Sequence, residues 1–215
     1  MIRNYKFTLN KGVVLQIIGL LLIIHATPTK GQNQLEIDSL KKALSTINDD
    51  STIMITLKNL AFLSKDPNKG VKYADELINL ARKKKNYEYI ARGYLQKGYK
   101  LFHIGDHVDA IKNLLESIDY SKSINNIELL ATGYSAVADI YSSLNNHSNA
   151  IQYYQQALST LEQSEDDATR AGISLNLGDE NLRNNQQDSA IIYFDKAGIV
   201  YNKYNNERGL AYYVG

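Results

Sequence analysis

A chain of 215 residues with 44% hydrophobic and 22% charged content has the profile of a folded protein and not of a disordered one. Setting aside residues 1–31, 20 basic side chains stand against 23 acidic ones, which argues against nonspecific nucleic-acid binding. Cysteine is absent, so disulfides, thiolate nucleophiles and Cys-based metal sites are excluded.

Residues 1–31 carry Arg3, Lys6, Lys11 and Lys30 and no acid. Between the first three bases and a small, polar stretch through Ala26, Thr29 and Gly31 lies the apolar run from Val13 to Ile24. This pattern predicts a signal peptide. The run has 12 residues, whereas a spanning helix needs about 20, so export and removal are expected and not permanent anchoring. Cleavage after Gly31 would leave Gln32 first; cleavage after Ala26 is the alternative. The expected location is periplasmic or otherwise extracytoplasmic, and no later segment is apolar enough to span a membrane.

Over 32–50, Leu40, Ala43, Leu44 and Ile47 fall on one helical face and predict an N-terminal entry helix that covers the first repeat. Residues 51–215 then echo every 40 positions. Ala91, Ala131, Ala171 and Ala211 form one column, and Gly70, Ala110, Ala150 and Ala190 another. Self-similarity at such a period marks stacked supersecondary units. Four frames begin at Ser51, Ala91, Ala131 and Ala171, with a fifth opening at Ala211, and each reads as two antiparallel helices. In the first helix of the third frame, Tyr134, Val137, Ala138 and Tyr141 share a stripe; its counterparts are Tyr94, Lys97, Gly98, Leu101 and Ser174, Leu177, Gly178, Asn181. Second helices show Ala110, Leu114, Ser117, then Ala150, Tyr154, Ala157, then Ala190, Phe194, Ala197.

Punctuation keeps the same register. Gly105, Asn145 and Asn185 are types that tolerate the left-handed conformation ending a helix, and Asn86, Asn126, Asp166 and Asn206 are types that cap the next one. Pro67 sits where a first-turn proline has no helical amide to lose. The fold class expected is all-α.

The columns filled by Tyr134, Val137, Ala138, Tyr141, Ala150, Tyr154 and Ala157, and again by Leu177-Gly178 and Ala190, Phe194, Ala197, resemble the tetratricopeptide repeat over about residues 51–215. The resemblance implies a right-handed superhelical solenoid, a noncatalytic protein- or peptide-binding module without a cofactor, and a concave groove lined by first helices. The period of 40 in place of 34, and Arg82, Lys122, Glu162 and Asn202 where a proline is common, imply longer helices. A helix of about 17 residues extends about 25 Å. The leader, the stretch from Ile37 to Leu44 and that from Asp66 to Gly70 also make the chain similar to the extracytoplasmic sensor region of bacterial receptors. Those receptors carry a downstream adenylate or guanylate cyclase or a histidine kinase domain. A cell-envelope scaffold is the other alternative.

The first resemblance places the groove along Tyr99, Asp139 and Asp179, with Arg92, Thr132, Ser135, Asn176 and Arg183 beside them. The carboxylate-gripping groove of the family wants Lys and Asn at fixed columns. One such column reads Ile55, Leu95, Ser135, Leu175 here, so chaperone-tail binding is not expected.

No catalytic or metal constellation stands out. His103 and His107 have ligand spacing, but Gly105 breaks the helix between them, and His107 and His147 read as solvated turn residues. Gly93 to Gly98 has the glycine spacing of a phosphate loop, yet Tyr99 and Lys100 come next where Lys and Ser or Thr are needed. Glu165, Asp166 and Asp167 read as a helix cap, and Lys83-Lys84-Lys85 as a solvated helix end. Tyrosine supplies 16 of 20 aromatic residues, and Tyr134, Tyr141 and Tyr154 are core candidates, not a stacking surface. Finally, Ile191, Ile192, Phe194 and Ile199 have no following unit to cover them. That predicts an end open to self-association and a chain that is the front portion of a longer protein.

Overall fold

The computed structural model describes residues 30–46, 48–162 and 164–203. The leader up to residue 29, Asn206 and the fifth frame at Ala211 lie outside the described residues. The chain divides into two compact units, Met1–Ser39 and Leu40–Gly215. Described residues of the first are helical, with Gln34 Nε2 donating to Asp38 Oδ1 at 3.0 Å. They belong to helix α1, Lys30–Leu44, whose last turns fall in the second unit.

The second unit continues with α2 (Asp50–Leu63), α3 (Pro67–Lys83), α4 (Tyr87–Ile104), α5 (His107–Ser123), α6 (Ile127–Ser143), α7 (His147–Thr160), α8 (Asp167–Arg183) and α9 (Gln187–Lys203). Among the described residues there is no strand. From α2 to α9 each helix packs on the next one along the chain, which is the arrangement of a helical solenoid. First helices α2, α4, α6 and α8 alternate with second helices α3, α5, α7 and α9.

Capping chemistry fixes where these helices begin. Asn86, Asn126 and Asp166 accept the amides of Tyr89, Leu129 and Thr169 at 3.1, 2.9 and 3.0 Å. These bonds satisfy donors that the first helical turn leaves unpaired. Asp66 does the same before Pro67, and Asp49, Asp106 and Asn146 cap α2, α5 and α7. Five of the described helix ends, those of α3, α4, α5, α6 and α8, are closed by left-handed residues. Gly105, Asn145 and Asn185 have φ of 91°, 55° and 58°, as their types allow; Asn125 at 51° and Lys85 at 54° close the turns between units. Lys85 is the costly member of this set, because its Cβ is crowded in that conformation.

Packing follows the 40-residue columns. Ala91, Ala110, Ala131, Ala150, Val137, Leu177 and Ala197 are fully or almost fully buried, and Tyr154 fills the space between its flanking alanines. Small residues admit large neighbours at fixed points. A Cβ on Gly93 would lie 2.6 Å from Ile78 Cγ1, and one on Gly133 would lie 2.8 Å from Ile118 Cγ1. Those glycines therefore set the approach of one unit to the next. Lys97, on the stripe that Val137 and Leu177 occupy, instead turns its ammonium to Asp75 at 2.8 Å.

The column of Leu60, Lys100, Ile140 and Glu180 is buried throughout, yet half of it is charged. Lys100 is 9% exposed and donates to the carbonyls of Phe62 and Ser64, both at 2.9 Å. These carbonyls end α2, where unpaired acceptors and the helix dipole both favour a cation. The Lys100 stem crosses Gly70, where a Cβ would sit 2.8 Å from Cγ, Cδ and Cε. This accounts for glycine where other units have alanine.

Candidate functional site

Helical spacing gathers the polar groups of the third and fourth units. Asp139, Ser142 and Ser143 share a face of α6, and Asn176, Asp179, Glu180 and Arg183 share one of α8, at steps of three and four residues. With Asn145 and Tyr154 they line a pocket of about 380 Å³. Its walls are first helices, which are braced by the buried columns beneath them.

The fixed groups of this pocket are hydrogen-bonded. Tyr154 donates its hydroxyl to Asp139. Glu180, 2% exposed, accepts from Ser142 Oγ at 2.6 Å and from His147 Nδ1 at 2.8 Å. Since a carboxylate oxygen only accepts from these neighbours, Nδ1 is the protonated ring nitrogen. Arg183 stands 3.8 Å from the same carboxylate. Glu180 thus ties the first helix of the fourth unit to the turn of the third, the mirror in charge of Lys100 on the α2 carbonyls.

Burial dominates the electrostatics. It raises the Asp139 carboxyl above its ordinary range; the Tyr154 hydrogen bond opposes this, and the Glu180 charge adds to it. Asp179 is likewise raised by burial, with Arg183 opposing and Glu180 adding. Burial and then the Asp139 charge push the phenols of Tyr154 and Tyr99 upward, so both stay protonated. The order of Ser142, Glu180 and His147 is wrong for nucleophilic catalysis. There the imidazole must contact the hydroxyl, whereas here the carboxylate lies between them. Among the described residues no cluster of His, Asp and Glu could hold a metal ion. The pocket suits recognition by charge and hydrogen bonds.

Of the groove residues expected from sequence, Asp139, Asn176, Asp179 and Arg183 come together here. Tyr99, on α4, does not line the pocket. Arg92 is instead paired with Glu88 at 2.8 Å, the Thr132 hydroxyl is spent on the Glu128 carbonyl at 2.7 Å, and Ser135 is half-buried on α6; none of the three lines the pocket. His147 is not a solvated turn residue. It opens α7 and is bonded to a buried carboxylate. Sequence reasoning missed Glu180, Ser142 and Tyr154 as pocket residues, although a charge in a column shared with Leu60 and Ile140 was a visible signal.

Comparison with known proteins accords with this geometry. Residues 89–163 match the tetratricopeptide repeat family. That stretch covers nearly all of α4 through α7, including the Asp139 side of the pocket. Solved tetratricopeptide-like structures extend the likeness of fold. A Rap protein complexed with Competence and Sporulation Factor superposes with a TM-score of 0.76 at 17% identity, over 85% of this chain and 53% of that one. Aspartyl phosphate phosphatase F from Bacillus subtilis gives 0.75 at 14%, over 85% and 52%. MamA gives 0.57 at 21%, over 93% and 99%. The chain spans about half the length of the Rap protein and the phosphatase. No curated protein matches the sequence. No helix among the described residues is long and apolar enough to cross a membrane.

Proposed function

We propose that this chain is a noncatalytic recognition array, exported by its N-terminal leader, which holds a protein or peptide ligand in the concave groove of its first helices. The observation that carries the reading is the pocket between α6 and α8, where Asp139, Asn176, Asp179 and Arg183 offer charge and hydrogen bonds from rigid helices. The Rap protein, of the same fold, is seen with Competence and Sporulation Factor bound, which supports ligand recognition by such an array. The basic start and apolar run of 12 residues support export, and the opening sequence supports a role as the input portion of a longer signalling receptor.

Selection of a random peptide library on the immobilised protein tests the groove. Peptides recovered on the native protein should lose at least tenfold in affinity on Asp139→Ala/Asp179→Ala, with the helical spectrum unchanged. Binders indifferent to both substitutions would remove the pocket from the recognition surface. Mass spectrometry of the mature protein should find Gln32 or a residue close to it first; an intact Met1 on a cytoplasmic product would rule out export.

A further inference from the structure

The fourth unit lacks an aromatic layer that the second and third possess. On α4, Tyr94 stacks on Tyr120 of α5 with ring centroids 6.0 Å apart, and the Arg82 guanidinium lies 5.5 Å from its ring. On α6, Tyr134 meets Tyr153 of α7 at 6.3 Å, and the Lys122 ammonium lies 5.5 Å from its ring. Forty residues further, the ring position is Ser174 and the cation position is Glu162. Tyr193, the counterpart of Tyr153, is kept. Its second partner is lost as well, because Tyr141, 5.5 Å from Tyr153, is replaced in register by Asn181.

A cleft of about 530 Å³ occupies this place, bounded by α7, α8 and α9. Ser174, 5% exposed, lies in its floor, with Leu158 and Tyr193 beside it, and Glu162, Arg170 and Lys196 also line it. Its size falls within the about 300–1,000 Å³ of small-ligand sites. The inner units show what this shape accepts: a tyrosine ring laid against the second helix. Among the charged lining residues Arg170 is already paired with Asp167, which leaves Lys196 as the cation beside the ring site, its ammonium 5.1 Å from the Tyr193 ring centroid, and Glu162 at the position where the inner units carry Arg82 and Lys122.

We propose that the cleft between α7, α8 and α9 docks an aromatic side chain of a partner polypeptide, in which an acidic residue flanks the aromatic one. The ring takes the place that Tyr94 and Tyr134 fill in their own units, against Tyr193 and over Ser174. The flanking carboxylate meets Lys196. This surface shares no residue with the pocket of Asp139 and Asp179, so either can fail without the other.

The test titrates the ¹⁵N-labelled protein with acetyl-Asp-Tyr-Asp-amide and follows amide shifts. Shifts should appear at Leu158, Ser174 and Tyr193, be absent with acetyl-Asp-Ala-Asp-amide, and need at least threefold more of acetyl-Lys-Tyr-Lys-amide. Ser174→Tyr supplies the ring from within and should abolish the shifts without lowering the melting temperature. Tyr193→Leu, which leaves the cleft open, should weaken binding at least fivefold and guards against a misfolded Ser174→Tyr. No shift at millimolar peptide, equal response to the alanine peptide, or undiminished binding by both variants would overturn the proposal.

Discussion

Replacing Gly70 by Ala should change sign according to what occupies position 100. In the native protein the added Cβ would lie 2.8 Å from Cγ, Cδ and Cε of Lys100, whose ammonium is pinned by two carbonyls at 2.9 Å and cannot swing aside. Such overpacking costs about 1–3 kcal/mol, while exchanging a helical glycine for alanine returns about 1 kcal/mol. The net expectation is a loss of about 1 kcal/mol. For a domain of this size each kcal/mol moves the melting temperature by about 2–4 °C, so Gly70→Ala should lower it by that amount. Lys100→Ala alone should cost more, about 3 kcal/mol, because it removes two hydrogen bonds to a charged group and leaves the α2 carbonyls without that partner. In the Lys100→Ala background the new methyl enters vacated space, and Gly70→Ala should raise the melting temperature by about 2–4 °C. The coupling across the double-mutant cycle is then about 2 kcal/mol, read from thermal and urea unfolding followed by circular dichroism at 222 nm. The same sign in both backgrounds would show that Gly70 is not there to accommodate Lys100.

Two histidines one period apart should respond differently. His147→Phe removes one of two hydrogen bonds to the buried Glu180 carboxylate, leaving Ser142, and should cost about 2 kcal/mol, whereas His107→Phe, whose buried Nδ1 has no hydrogen-bond partner, should be close to neutral; equal losses in thermal unfolding would contradict this. Asp139→Asn tests the raised carboxyl. A folded value above the unfolded one removes stability as pH rises from the ordinary carboxylate range through the raised value. The variant's melting temperature relative to the native protein should therefore climb between pH 4 and 7; a flat difference would refute the burial effect. Gly133→Ala, whose Cβ would lie 2.8 Å from Ile118 Cγ1, should destabilise by about 1 kcal/mol net in the same assay, the overpacking outweighing what alanine returns in a helix, while a raised melting temperature would mean the units do not meet there. Lys85→Gly relieves a left-handed residue that carries a Cβ and should raise stability by about 1 kcal/mol, measured in the same way; no gain would mean the turn holds no strain.

The period was legible because its punctuation is local. Asn86, Asn126 and Asp166 cap helices by bonding to amides three residues away, and Asn145 is left-handed through its own backbone, so the sequence neighbourhood contains both partners. The left-handed Lys85 escaped because lysine carries no signal for that conformation. Lys100 and Glu180 escaped for a different reason. Each is satisfied by groups 33 to 38 positions earlier, in the turn of the preceding unit, and a stripe pattern records only that the column is buried. Asp139 and Asp179 share a register that the sequence displays, whereas the bond from the Tyr154 hydroxyl to Asp139 joins two different helices and leaves no mark in that register.

The packing of successive helices from α2 to α9 has a kinetic consequence. The segments that must meet are joined by turns of a few residues, so closing each contact costs little chain entropy and the search can begin in any helix pair. Proteins whose contacts are this local fold in microseconds to milliseconds. A chain that threads an export channel and emerges unfolded would then acquire its shape from the leading end onward, one helix pair after another, without waiting for its last residue to arrive.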